Sequence, residues 1–333
     1  MKKEMRVGIV GCGGIARCHV NAYKNSKRAR LVSVFDLHRP AAEGLAKETG
    51  ARVAASIGEM VEMDQLDGVS ICTPPAVHYD NCRPFVENGV GVLCEKPMEV
   101  NAVRGAKLAA LARKHRAVVM VAFCHRFHPE VAELRRLIDK GILGKPVFFR
   151  NIFAGYISFK GNHRANPKLS GGGCLIDNGT HAVDIFRYLV GEPTAVQAMA
   201  ADVMQHLPIE DFGMIQLSVK DKVFGEITTG FSLKNAGAWV EWFGTKGSAR
   251  ISYWNPGQPN LAIMRDGDKE WKAVDCGKRP DRFAGEIQHF LDCVETGRKP
   301  SPGAEDGVQV CRVLDAAYKA AATGKRVKVQ AKG

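Results

Sequence analysis

A chain of 333 residues with 45% apolar and 25% charged residues has the composition of an ordinary globular protein, and its length exceeds what one core usually serves, so two domains are expected. No run approaches the roughly 20 apolar residues of a membrane span. The opening MKKEMRVGIVGCGG carries about four apolar residues before glycines intervene, too few for an export signal, so a cytoplasmic protein is expected. The net charge of +12 is scattered in twos and threes, as at Arg135-Arg136, Lys278-Arg279 and Lys325-Arg326, which argues against nucleic acid as a partner and leaves room for an anionic small molecule. Ten cysteines include no CxxC pair, and Cys72, Cys94 and Cys124 sit inside apolar runs, as reduced and buried thiols do.

In chain order, an apolar strand from Val7 to Val10 runs straight into Gly11-Cys12-Gly13-Gly14-Ile15-Ala16, and a helical pattern follows. In that setting the first glycine permits a tight turn, the second lets a pyrophosphate approach the backbone, and Ala16 lets helix and strand pack closely. Phosphate then rests on the free N–H groups at the positive end of the helix. A second strand, Leu31 to Phe35, ends in Asp36, which lies 22 residues beyond Gly14. An acid at about this spacing accepts hydrogen bonds from the adenosine ribose and repels a 2′-phosphate, which favours NAD. His38 and Arg39 follow and keep NADP open should Asp36 turn away. Further strands are read at Gly68 to Cys72, Val90 to Cys94 and Val118 to Ala122, with a helix at Ala102 to His115. Buried, uninterrupted strands alternating with helices imply a parallel doubly wound sheet, so that Gly11, Thr73 and Lys96 fall on its carboxyl edge.

After Cys124 the pattern changes, and domains of 1–124 and 125–333 are expected. A helix at Glu130 to Lys140 precedes strand-like segments at Val147 to Phe153, Ala195 to Val203, Met214 to Val219, Val223 to Phe231, Val240 to Gly244 and Ala249 to Tyr253. Turns such as Lys220-Asp221-Lys222 between short strands suggest an antiparallel sheet. Helices near Arg282 to Thr296 and Asp306 to Thr323 close the chain. Between the strands, Gly171-Gly172-Gly173 leads into a helix from Leu175 to Val190, where Asp177, His181, Asp184 and Tyr188 share one face. Tyr188 reads as solvated. Asp177 and His181, on an otherwise apolar helix, read as the wall of a polar cleft, and Asp184 either joins them or holds the ring of His181. No third His or Cys stands at a metal-binding spacing from that pair, so no metal is expected. Cys174 acting as a nucleophile with His181 as its base is a competing reading. Arg126, and the loop Gly161 to Lys168 with Arg164, are expected to meet substrate; Lys160, Arg164 and Lys168 suit an acidic group on it.

Several of these segments, "GIVGCGGIA", "ICTPPAVHYDNC", "VLCEKPMEVNA", "CHRFHPEVAELRRLIDKGILGKPVFFR", "SGGGCLIDNGTHAVDIFRYLVG", "GTKGSARI" and "RFAGEIQHFLDCVETGRKPSPGAEDG", resemble the Gfo/Idh/MocA family of oxidoreductases nearly end to end. The resemblance implies a Rossmann domain followed by an α+β domain with a large, open, mostly antiparallel sheet that packs against a copy of itself, giving a homodimer or homotetramer. It implies hydride transfer between NAD(P) and a secondary hydroxyl of a sugar, polyol or sugar derivative, with Lys96, Asp177 and His181 carrying the chemistry. A lysine serves as base when burial and a neighbouring cationic nicotinamide favour its neutral amine; whether Lys96 or His181 takes the proton stays open. The implied cofactor contacts are Gly11, Gly13, Gly14, Ile15, Ala16, Asp36, Thr73, Pro74, His78, Glu95 and Lys96. Pro97 disfavours helical geometry at Lys96 and keeps it extended. Where many relatives carry Trp, this chain has His163, which puts stacking against a sugar face in doubt. Two further activities exist within such a family: a glycosidase that retains its NAD, and a non-catalytic nucleotide sensor.

Overall fold

The computed structural model describes residues 4–253 and 260–330; the basic start at Lys2 and Lys3 lies outside them. In chain order the elements are β1 (Met5–Val10), α1 (Gly14–Ser26), β2 (Ala29–Phe35), α2 (Arg39–Thr49), β3 (Arg52–Val53), α3 (Ile57–Met63), β4 (Gly68–Ile71), α4 (His78–Glu87), β5 (Gly91–Cys94), α5 (Ala102–His115) and β6 (Val119–Val121). There follow α6 (Pro129–Asp139), β7 (Pro146–Tyr156), α7 (Pro167–Ser170), α8 (Cys174–Leu189), β8 (Ala195–Ala201), β9 (Phe212–Val219), β10 (Val223–Gly230), β11 (Ser232–Gly244), β12 (Gly247–Ser252), β13 (Leu261–Arg265), β14 (Lys272–Ala273), α9 (Arg282–Thr296), α10 (Ala304–Thr323) and β15 (Val327–Lys328). The chain divides into two units, Met1–Cys124 with Pro280–Val308, and His125–Arg279 with Gln309–Gly333.

The first unit is built on a six-stranded parallel sheet in the order β3-β2-β1-β4-β5-β6. Every residue of β4, β5 and β6 is buried, which is why these strands read as unbroken apolar runs. The strand order reverses between β1 and β4, the switch point at which such sheets bind ligands. Helix α5 starts on Asn101, whose side chain accepts the Arg104 N–H, and ends in Arg113, Lys114 and His115, which suit the negative end of the helix dipole. Strand β3 escaped sequence reading because two residues, paired with Ser33 and Val34, display no periodicity.

Residues 280–308 were expected in the second domain, and the structure groups them with the first unit. The reason lies in packing. Helix α9 lies beside α1, and its Phe290 and Val294 occupy the space that side chains at Gly68 and Gly91 would fill. Nothing in the local pattern of α9 announces these distant partners.

The second unit carries a nine-stranded sheet in the order β14-β13-β12-β11-β7-β10-β9-β8-β15, antiparallel except where β7 and β10 run together. Helix α8 covers one face of it. Phe186 and Leu175 from α8 sit where side chains at Gly225 and Gly213 would project, so two glycines in the sheet let the helix approach. Buried Trp242 donates its Nε1–H to the Leu189 carbonyl at the end of α8. The short strand β13 and the edge strands β14 and β15 were not expected, and β11 is much longer than the Val240 to Gly244 segment. Among the described residues no helix is long and apolar enough to cross a membrane.

Candidate active site

On the first unit, β1 leads into Gly11, whose φ of +90° is open to glycine and whose added Cβ would lie 2.7 Å from the Cys72 carbonyl group. Side chains at Gly13 and Gly14 would meet nothing within 4 Å, so the start of α1 offers bare backbone to an incoming phosphate. Gly13 caps α1 with no side-chain hydrogen bond, and no acidic residue stands in the first turn, which leaves the positive helix end to an anion. Asp36 at the exit of β2 accepts the Cys12 N–H at 2.7 Å and the His38 N–H at 2.8 Å. Two backbone donors hold that carboxylate in place, one on each oxygen, and each oxygen keeps further acceptor capacity. Burial, and after it Asp36, push the Cys12 thiol up to about 12, so no thiolate repels phosphate here. This loop fits a dinucleotide.

The next exits lie on the same carboxyl edge. Thr73 follows β4 and receives the Asn81 amide on Oγ1. His78, expected among the cofactor contacts, is fully buried. Its ring lies between the Thr73 carbonyl at 2.7 Å and the Pro97 carbonyl at 3.1 Å and so braces the two exits. Glu95 is buried as well: Oε1 lies 2.9 Å from His19 Nε2, and Oε2 accepts the Lys96 N–H at 2.9 Å. The Lys96-Pro97 peptide is cis. Glu99 accepts from the Tyr79 N–H and from Arg104, which secures the segment that follows.

In the second unit, α8 begins at a turn that admits only glycine. Gly172 has a φ of +157°, and side chains at Gly172 and Gly173 would collide with Tyr318 and with the Glu210 backbone. Glu210 Oε1 accepts the Gly173 N–H at 2.9 Å, the Leu175 N–H at 3.0 Å and the Tyr318 hydroxyl at 2.7 Å. A carboxylate thus fills the positive end of α8, which sequence reading missed because Glu210 and Tyr318 are remote in the chain. One turn on, Asp177 pairs with Arg164 at 3.3 Å, both reaching solvent. His181 is buried and its ring packs 4.3 Å from that of His125, centroid to centroid. His125 also packs on Phe153, and His128 on Tyr253. His125 and His128 stand in the CHRFHP segment, three residues apart, and that spacing was the available signal.

Arg126, expected at the substrate, grips Asp184 through two hydrogen bonds of 2.8 and 2.6 Å, both residues being buried. An arginine held in this way anchors its segment to α8. Cys174 is fully buried with its Sγ toward the Thr229 carbonyl, and burial raises its pKa; a thiol in that state is no nucleophile.

A Rossmann sheet with a bare glycine turn, an acid at the exit of β2 and a lysine at the exit of β5 defines an NAD-binding oxidoreductase. The chain belongs to the Gfo/Idh/MocA family: the model of its NAD-binding Rossmann fold matches residues 5–123, and that of its C-terminal alpha/beta domain matches residues 135–329. It is 27% identical to an inositol 2-dehydrogenase of Rhizobium meliloti, over 98% of this chain and 99% of the relative. It is 28% identical to a D-glucoside 3-dehydrogenase of Escherichia coli, over 98% and 97%. Among solved structures, levoglucosan dehydrogenase in complex with NADH and levoglucosan superposes with a TM-score of 0.92 at 22% identity, covering 99% of this chain and 100% of that one, a likeness of fold.

Proposed function

We propose that this enzyme oxidises a secondary hydroxyl of a sugar, polyol or related compound, with Lys96 as the acid-base group. The observation that carries the reading is the placement of Lys96 on the same carboxyl edge as the Gly11 turn, with its amide pinned by buried Glu95. NAD, when bound, supplies the hydride acceptor. Lys96 takes the hydroxyl proton, His181 hydrogen-bonds the reacting oxygen, and Asp177 orients the substrate. The names of the relatives point to polyhydroxylated rings. Arg164, about half exposed and paired only across 3.3 Å with Asp177, is suited to exchange that partner for an acidic group on the substrate, so uronates and nucleotide sugars belong among the candidates.

The test is reduction of NAD and, separately, NADP across inositols, hexoses, uronates and nucleotide sugars. A signal with one class establishes the dehydrogenase; silence, with cofactor retained through purification, points to the NAD-retaining glycosidase instead. The same assay reads cofactor choice. Arg39 is tied to Glu43 at 2.8 Å and Asp36 is held by two amides, so NAD is the expected cofactor. Asp36→Ala is expected to weaken NAD and shift the preference toward NADP; an unchanged ratio would remove Asp36 from the ribose site.

The open face of the second sheet supports self-association. By register, Phe148, Phe224, Phe243, Ile152, Trp239, Met214 and Met199 share the face opposite α8, and Phe224 and Met199 are 51% and 72% exposed. Arg150, Glu226 and Glu241 pair among themselves between these apolar groups. An apolar patch of this kind on a sheet marks an interface. Sedimentation equilibrium is expected to give a dimer or tetramer, and Phe224→Asp a smaller species.

A further inference from the structure

At the exit of β5 the first unit holds a line of buried polar groups that leads from Glu95 to side chains the hydride-transfer reading leaves unused. Tyr23 Oη lies 2.9 Å from Ser70 Oγ, which lies 3.1 Å from His19 Nδ1, and His19 Nε2 reaches Glu95, whose other oxygen accepts the Lys96 N–H. Against this line α9 sets Glu286. It is wholly buried, and among the described residues neither of its carboxyl oxygens has a hydrogen-bond partner. An ionised carboxylate so placed would lack the hydrogen bonds that buried charge requires. Burial first, and then Glu95, push Glu286 well above the ordinary carboxyl range, with Arg282 four residues earlier on α9 opposing. The other titratable groups that feel it are Tyr23 on α1, Cys72 after β4 and Cys124 after β6, all pushed upward chiefly by burial. Cys124 also feels Arg282, Glu95 and Lys96.

We propose that Glu286 is a positioning residue for Lys96: it keeps its proton at working pH and leaves Glu95 undisturbed as the carboxylate that holds the Lys96 amide. The proposal rests on the reading of Lys96 as the acid-base group. A second buried negative charge would favour the ammonium form of any neighbouring amine and would repel Glu95 from its contacts with His19 and the Lys96 amide. A proton on Glu286 avoids both effects. When that proton leaves for solvent at alkaline pH, the cluster acquires the second charge and Lys96 loses its value as a base.

The test uses the full chain and Glu286→Gln, which keeps the shape of the neutral acid. Infrared difference spectra at neutral pH are expected to show a protonated-carboxyl band in the wild type that the variant lacks. With the substrate found above, kcat/KM for oxidation is expected to fall at alkaline pH in the wild type and to hold its plateau in Glu286→Gln, a change that a merely structural residue would not produce. Stability gives an independent reading. Because the folded-state pKa lies above the unfolded one, about 4.3, the stability that the acid contributes is complete below that value and is lost as pH rises through the folded pKa. Urea midpoints are therefore expected to diverge in favour of the variant as pH rises. No band in the wild type, or identical alkaline limbs in the two proteins, overturns the proposal. Full turnover in Lys96→Ala would overturn the lysine reading and the positioning role with it, while leaving the infrared band in place, so the two failures are told apart.

Discussion

Lys96→Ala is expected to lower kcat by about 10² or more while leaving NAD affinity nearly intact, the range in which removal of a general acid-base group falls. The pattern follows from the division of labour on the carboxyl edge. In the proposed reading the Gly11 turn, the bare start of α1 and Asp36 offer the dinucleotide its contacts, whereas the lysine side chain acts on the substrate proton. Loss confined to kcat and kcat/KM in equal measure would show an interaction made only in the transition state. NAD affinity is checked by fluorescence titration, and turnover by initial rates with the best substrate of the panel. Turnover within threefold of the wild type would transfer the proton to another group, His181 first. Lys96→Arg is expected to fail nearly as badly, since a guanidinium does not give up its proton near neutral pH.

Asp184→Ala is expected to cost about 3–5 kcal/mol of stability, the range for breaking a buried ion pair from one side. Its side chain is 1% exposed and meets Arg126 through two hydrogen bonds, with Arg187 a further 3.8 Å from the same carboxylate. Removing it takes a shared carboxylate from two buried guanidiniums. Arg187 keeps Glu192; Arg126 keeps the face of the Tyr188 ring, 5.1 Å away, which attracts the cation weakly. Denaturant midpoints at unchanged m-value measure the loss. A double replacement, Arg126→Met with Asp184→Leu, is expected to recover most of it, because the cost lies in the orphaned charge and not in the missing attraction. A loss below about 1 kcal/mol in the single variant would mean that water reaches the pair.

Most of the first unit was legible because its signals are local. A strand buried on both faces must be apolar throughout, a turn that receives phosphate must be glycine, and the acid at the exit of β2 follows at a distance set by one helix and one strand. The polar stripe on α8 was legible for the same reason, since a helix repeats every 3.6 residues whatever surrounds it. From the chain alone, then, came the doubly wound sheet, the mostly antiparallel second sheet, the carboxyl edge with Gly11, Thr73 and Lys96, and the helix with Asp177 and His181.

Tertiary structure decided what each polar side chain faces, because its partner stands at any distance along the chain. It set His78 as a brace between two loops and Arg126 as the counter-charge of Asp184. Glu210 became the cap of α8 from 37 residues beyond Gly173. Helix α9 joined the first unit across more than 150 residues of intervening chain, and Glu286 came to rest beside Glu95 with no hydrogen-bonding group to meet it among the described residues. Periodicity reports which face of an element is buried; only the packed fold determines which charge that face meets.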